Sequence, residues 1–422
     1  MILKFNEMDQ AQIETILKRS KTDVNQIKEQ IQPIIDDVKE NGDTALVRYT
    51  KQFDNFELKD IKVSKEDIKE AYTKVDPKII QAIKYQIKYA KRFAELDTIN
   101  LKDEIKTEYG ILGKRKTPID SVGLYIPGGT AQYPTVMQIL AVAAKTAGVK
   151  KIIACTPPRD DMDILMVAAD LAGVDELYRV GGVQSIAAMA YGTETIPKVL
   201  KIVGPGNVYV TAAKVAVFGE VSIDMPAGPS EAVIIADETA NPRYCAADIL
   251  ARCEHDTNAA AVMLTDSMEL AKQTVKELEI QKTRLSRLEI IEKSLKKYSA
   301  IIVFNNLDQA FEFSNEYAPE HLEILTKDPK AELNKITNAG SVFLGAYSPV
   351  GVGDYASGVN HVLPTNGFAK MFSGVSVDTF MKTTEYEMIT KPGLQLLYSE
   401  IIKTIADVEK LDAHKRSVEI RL

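Results

Sequence analysis

With 422 residues the chain is long enough for two or three domains, and 45% hydrophobic against 26% charged residues is an ordinary globular balance. Its 52 Lys and Arg against 59 Asp and Glu leave a net charge of −7, which argues against nucleic acid as a partner because neutralising phosphates needs clustered basic residues. No apolar run approaches the ~20 residues of a membrane span, the opening MILKFNEMDQ turns polar too soon for a secretory signal, and Cys155, Cys245 and Cys253 make no closed disulfide framework; a cytoplasmic enzyme is expected.

The first hundred residues read as helices. Val24, Ile27, Ile31, Ile34, Ile35 and Val38 recur at helical spacing and Gly42 follows as a stop. Ser64 with Asp67 forms a capping-box pattern, and Asp76-Pro77 supplies a cap and first-turn proline for another helix. From Ser121 the texture changes to short apolar runs, each followed by glycine and a helix-period segment: SVGLYIPGG, KKIIACTPP, ELYRVGG and VLKIVGPGN. Such alternation specifies parallel sheets covered by helices on both faces. After VSIDM and EAVIIAD the pattern resumes with AAVMLTD, a long helical stretch to Tyr298, AIIVFNN, HLEILT and GSVFLG.

The expected fold is therefore α/β, with two doubly wound Rossmann-like lobes, an N-terminal helical region and a helical C-terminal tail. The predicted boundaries are 1–118 for the helical region, 119–232 and 233–365 for the lobes, and 366–422 for the C-terminal segment, which is helical from about Thr384. The lobes join near Ala227–Ser230. Ligands of such folds bind at the carboxyl ends of the strands, so the chemistry is expected there.

Four histidines stand in pointed settings: Glu254-His255, Glu320-His321, Asn360-His361 and Ala413-His414. Adjacent residues diverge on a helix, so each Glu-His pair works together only at a helix end or in a loop. Pro319 makes that the expectation for Glu320-His321. His255 and His414, with Asp354 in GVGDYASG, offer imidazole and carboxylate donors for a metal such as zinc; taken alone, Asp354 reads sooner as a turn residue among glycines. Gly128-Gly129, Gly181-Gly182 and Gly204-Pro205-Gly206 lie at strand-to-helix turns where backbone N–H groups could meet a phosphate, though none forms GxGxxG. Asp224 and Asp237 are strand-end candidates for a ribose contact or for capping the next element.

Read together, these segments resemble the histidinol dehydrogenase family. The resemblance runs in order through Tyr125-Ile-Pro-Gly-Gly129, Gly181-Gly-Val-Gln-Ser-Ile-Ala-Ala188, Tyr191-Gly-Thr-Glu194, Lys201-Ile-Val-Gly-Pro-Gly-Asn207 and Ala227-Gly-Pro-Ser-Glu231. It continues through Ala246-Ala-Asp-Ile-Leu250, Glu254-His-Asp256, Ala318-Pro-Glu-His321, Gly353-Asp-Tyr-Ala-Ser-Gly358, Asn360-His-Val-Leu-Pro-Thr365 and Ala413-His-Lys415. The resemblance implies NAD-dependent oxidation of L-histidinol to L-histidine through a bound aldehyde, in a zinc-containing homodimer whose C-terminal tails complete each other's sites. It implies Glu320 and His321 as the acid/base pair, and Tyr125, Gln184 and Asn207 as cofactor contacts. His255, Asp354 and His414 would hold the metal. Substrate contacts would come from Ser230, His255, His321, Asp354, His361, Glu409 and His414.

One position departs from the family. Where the family places a fourth metal-binding glutamine, the chain has Arg252, about 60° round a helix from His255. A guanidinium has no lone pair to donate and repels a cation. A competing reading is therefore a paralogous dehydrogenase of an anionic alcohol with an altered or absent zinc site. A nucleotide-binding protein that has lost catalysis is a third reading, opposed by the intact Glu320 and His321. Cys253, where the family has alanine, would point about 160° from His255 on a helix, which opposes a covalent role.

Overall fold

The fold was analysed in a computed structural model that describes residues 2–19, 24–98, 102–128 and 132–422. A short strand, β1 (Ile2–Lys4), precedes α1 (Gln10–Lys18), which opens on a reciprocal Asp9–Gln12 capping box. α2 spans Val24–Asp54 and buries Ile27, Ile31, Ile35 and Val38. Gly42 breaks it as predicted, with φ 49°, yet helix resumes beyond. There the Asp43 N–H donates to the Glu194 carboxylate at 2.8 Å, and a side chain at 42 would collide with that same carboxylate. α3 (Lys65–Lys74) starts on the Ser64–Asp67 capping box, and α4 (Pro77–Ala94) on Asp76 with Pro77, both as the sequence predicts. β2 (Lys102–Thr107) and β3 (Gly110–Pro118) then form an antiparallel hairpin.

The first lobe follows as β4 (Ser121–Tyr125), α5 (Pro134–Ala147), β5 (Lys151–Cys155), α6 (Asp163–Ala172), β6 (Glu176–Tyr178), α7 (Gly182–Tyr191), β7 (Lys201–Val203), α8 (Val208–Val217) and β8 (Ser222–Ile223). Its five strands are parallel in the order β6-β5-β4-β7-β8. The second lobe comprises β9 (Glu231–Ala236), α9 (Pro242–Cys253), β10 (Ala260–Thr265), α10 (Met268–Lys282), α11 (Leu288–Tyr298), β11 (Ala300–Val303), α12 (Leu307–Tyr317), β12 (His321–Leu325) and β13 (Ser341–Leu344). Its sheet is also parallel, ordered β1-β11-β10-β9-β12-β13. Each lobe thus begins at a central strand, places the next two on one side and the last two on the other. Both faces of each sheet pack on helices, so β9 and β10 are buried at every position, the pattern that continuous apolar runs specify.

A short helix, α13 (Val350–Val352), and a π-helical turn at Gly353–Ser357 lead towards β14 (Met381–Ile389), which pairs antiparallel with β3. The chain ends in α14 (Lys391–Leu397), α15 (Lys403–Glu409) and α16 (Asp412–Glu419). Four local expectations are corrected. β1 belongs to the second lobe's sheet, and β2 and β3 interrupt the helical reading of 1–118. Thr384–Ile389 is strand, with helix only from Lys391. The helical stretch before Tyr298 is two helices. The hairpin and β14 (KDEIKT, GILGKRKTP, MKTTEYEMI) are largely exposed and charged, so they lack the alternation that marks a half-buried strand.

Gly204, directly after β7, has φ +134°, and a Cβ there would lie 2.1 Å from the Tyr125 carbonyl oxygen. Strain and overlap add, so Gly204→Ala is expected to cost about 2–4 kcal/mol, read as a fall in the urea midpoint. A midpoint unchanged from the parent would mean that the β4–β7 approach is relaxed in solution.

Candidate active site

The cofactor candidates lie where β4, α7 and α8 meet at the carboxyl edge of the first sheet. Here the strand order reverses between β4 and β7, opening the crevice that dinucleotides use in such folds. Tyr125 ends β4, and its hydroxyl oxygen accepts the Gly182 N–H at 3.4 Å across the start of α7. Gln184, in the first turn of α7, is buried with neither amide atom hydrogen-bonded. Asn207 caps α8 by accepting the Tyr209 and Val210 N–H groups, both at 3.1 Å. Its exposed position leaves the amide free to turn outward. Of the glycine clusters, Gly181-Gly182 and Gly204–Gly206 stand at these turns, while Gly129 lies outside the described residues. Asp224 and Asp237 serve the fold: Asp224 pairs with buried Lys214 and accepts the Gly204 N–H, and Asp237 caps the Thr239 turn and accepts the Lys327 N–H.

The acid/base candidates lie elsewhere than expected. Ser230 and Glu231 open β9, and Glu320 and His321 open β12, so they occupy the amino edge of the second sheet rather than a carboxyl edge. A doubly wound lobe ordinarily offers its carboxyl edge; here the lobe junction at Ala227–Ser230 delivers the chain to the opposite one. Ala318 takes a left-handed φ of 52° to end α12, and Pro319 follows. The next backbone is pinned to β13, with the Gly340 N–H on the Pro319 carbonyl (2.9 Å) and the Ser341 N–H on the Glu320 carbonyl (3.0 Å).

Within this edge, Glu320 Oε2 accepts the Ser230 hydroxyl at 2.5 Å and the Glu231 N–H at 2.8 Å, and lies 3.4 Å from His321 Nδ1. His321 Nδ1 also faces the Glu231 carbonyl at 3.2 Å. Both neighbours of Nδ1 are acceptors, so Nδ1 carries the proton and Nε2 has the free lone pair. Nε2 is buried, takes no hydrogen bond, and lies 3.8 Å from Asp354 Oδ1. Burial alone would raise the Glu320 carboxyl, yet His321, Arg252 and the Ser230 hydroxyl draw it down to about 2. It is therefore ionised throughout the neutral range.

Arg252 completes the cluster. It is 4% exposed, and its Nη1 donates to the Ser230 hydroxyl. His255, just past the end of α9, is exposed on one side, yet the protein packed around its ring and then the Arg252 charge push its imidazole down to about 4. His361 is likewise held below its ordinary value, first by burial. Both imidazoles are neutral at pH 7 and have lone pairs to offer. Asp354 and His361, with Thr135, Gln138 and Tyr355, line a small open hollow. Glu409 and His414 lie on the exposed C-terminal helices, and no hydrogen bond or ion pair among the described residues joins either to the cluster. Cys253 faces the core beside Ser299, away from the cleft.

Four residues carried no assigned role in the sequence. Glu231 is buried, accepts the Glu320 and Asn366 N–H groups, and pairs with Arg19 Nε at 2.8 Å, a contact that opposes the rise burial gives its carboxyl. The motif Ala227–Glu231 contains it, but only the coordinates reveal its partner from α1. Gln138, buried on α5 with both amide atoms unpartnered, lines the hollow and sits in a helix that reads as ordinary core. Asp248 on α9 and Glu323 on β12 interact, and burial followed by the Asp248 charge holds the Glu323 carboxyl well above its ordinary value.

The profile of the histidinol dehydrogenase family matches residues 17–422. The chain is 46% identical to a histidinol dehydrogenase of Methanothermobacter thermautotrophicus and 47% identical to one of Methanocaldococcus jannaschii, in each case across all of this chain and at least 99% of the relative. The crystal structure of histidinol dehydrogenase from Elizabethkingia anophelis superposes with a TM-score of 0.93 at 40% identity, covering 100% of this chain and 97% of that one.

Proposed function

The chain belongs to the histidinol dehydrogenase family, NAD-dependent oxidoreductases of histidine biosynthesis, and on that premise we propose that Glu320 and His321 carry both oxidations of histidinol at one site. The observation that carries this reading is the division of labour around one carboxylate. Glu320 Oε2 is spent on Ser230, Glu231 and the His321 side, leaving Oε1 and His321 Nε2 for the reaction.

The first oxidation needs the alcohol proton removed as hydride leaves to NAD⁺, and Nε2 is the base. The imidazolium so formed lies between the Glu320 and Asp354 carboxylates, 3.4 and 3.8 Å away. An aldehyde has no hydroxyl to deprotonate, so water must add first; Glu320 Oε1 orients and deprotonates that water. Once His321 has passed its first proton to solvent, the hydrate gives its second hydride to another NAD⁺ and its hydroxyl proton to the freed Nε2, yielding the carboxylate. Ser230 holds Glu320, and neutral His255 and His361 are the contacts for the substrate. Tyr125, Gln184 and Asn207 are the cofactor contacts of the first lobe, 119–232. The free, buried cysteines suit a reducing cytoplasm.

Zinc does not fit the donors of one chain. Among the described residues no three His, Cys, Asp or Glu are grouped to hold a metal ion. A partner's tail could add His414 to His255 and Asp354, but the fourth place would still hold a buried guanidinium that repels the ion.

Exposed apolar side chains on the tail support a homodimer with shared sites. Ile401, Ile405, Leu411 and Ile420 are open to solvent, and Val408 is 73% exposed. The test mixes two inactive chains, one ending before Glu409 and one carrying His321→Ala. Neither alone should form NADH from L-histidinol. After exchange of subunits about a quarter of the parent rate should return, since half the dimers are mixed and each holds one whole site. No recovery in demonstrably mixed dimers would show that each chain uses its own tail.

A further inference from the structure

We propose that Arg252 is a substrate-binding residue that holds the carboxylate formed in the second oxidation and the hydrate oxyanion preceding it. The inference rests on the reading of Glu320 and His321 given above and names a further partner for their product. Arg252 lies two hydrogen bonds from the acid/base pair, through Ser230, whose hydroxyl donates to Glu320 Oε2 at 2.5 Å. Only Nη1 is used in this link. Nε is buried and makes no hydrogen bond, an expensive state for a charged donor. With Nη1 turned to Ser230, the edge formed by Nε and Nη2 is left, the side-on fork that matches a carboxylate in bidentate fashion. The residue is nine-tenths buried and carries no carboxylate salt bridge of its own. A permanent cation with no carboxylate in direct contact therefore sits beside the place where a neutral aldehyde becomes an anion.

The step is balanced by the established activity. With one water proton on Glu320, the hydrate oxyanion loses hydride to NAD⁺ and its remaining hydroxyl proton to His321, and the product is a carboxylate with the guanidinium as counter-ion. Arg252 gains nothing from the alcohol, whose oxygen is uncharged. It acts on the later species and leaves the first oxidation to the groups already described.

Equilibrium binding without NAD⁺ separates the two. Calorimetric titration of the full-length protein with L-histidine and with L-histidinol should show that Arg252→Gln weakens L-histidine by about tenfold or more while L-histidinol changes less than about threefold. Arg252→Lys keeps the charge without the fork, should fall between, and serves if the glutamine variant does not fold. Zinc content is measured in every sample, because glutamine is itself a donor. Equal weakening of both ligands, no change in either, or a difference that disappears once zinc is equalised would overturn the proposal. A failure of the acid/base reading would appear instead in the kinetics of the His321 and Glu320 variants, which this titration does not use.

Discussion

Replacing His321 with alanine is expected to lower both NADH-forming steps by about a thousandfold while leaving the fold intact. The ring begins β12 between β9 and β13 and uses only Nδ1 for structure, so its loss removes the base more than the framework. The same Nε2 serves the alcohol and the hydrate, so the two steps should fall together. Steady-state rates with L-histidinol and with its aldehyde measure this directly, and circular dichroism confirms the fold. A variant that retains one step near the parent rate would require a second base and refute the shared role.

Glu320→Gln should split those steps. The amide keeps the shape of the carboxylate but cannot take a proton from water, so aldehyde oxidation should fall by about a hundredfold to a thousandfold. Alcohol oxidation should change by less than about tenfold, since there the carboxylate only stabilises the imidazolium. Glu320 is held near pH 2, so its stabilising effect is present above the ordinary carboxylate range and is lost only as pH falls through about 2. The contrast between the two substrates should therefore persist across the neutral range. Equal losses would mean that Glu320 positions His321 and does not activate water.

The lobes were legible because buried parallel strands write themselves as short apolar runs bounded by glycine, as in KIIAC and EAVIIA. The hairpin and β14 were not, because charged two-sided strands carry no period. The chemical residues were legible as motifs, whereas their edge was not. Which end of a strand becomes a site depends on how two lobes are joined, and a parallel lobe's sequence does not encode its neighbour. Arg19 illustrates the limit further: it lies 212 positions from Glu231, and nothing local marks α1 as support for the Glu320 backbone. Arg252 was visible as a departure, yet its bond to Ser230 follows from the α9–β9 packing alone.

The seating of His321 in an interior strand has a further consequence for heat inactivation. β12 is flanked on both sides in a six-stranded sheet, so its amides open only when much of that lobe does. The reacting imidazole, though on the first residue of β12, is held by neighbouring strands on both sides. Loss of turnover on warming should accordingly coincide with cooperative melting of the second lobe, and amide hydrogen exchange at Leu322 and Ile324 should be among the slowest in the molecule.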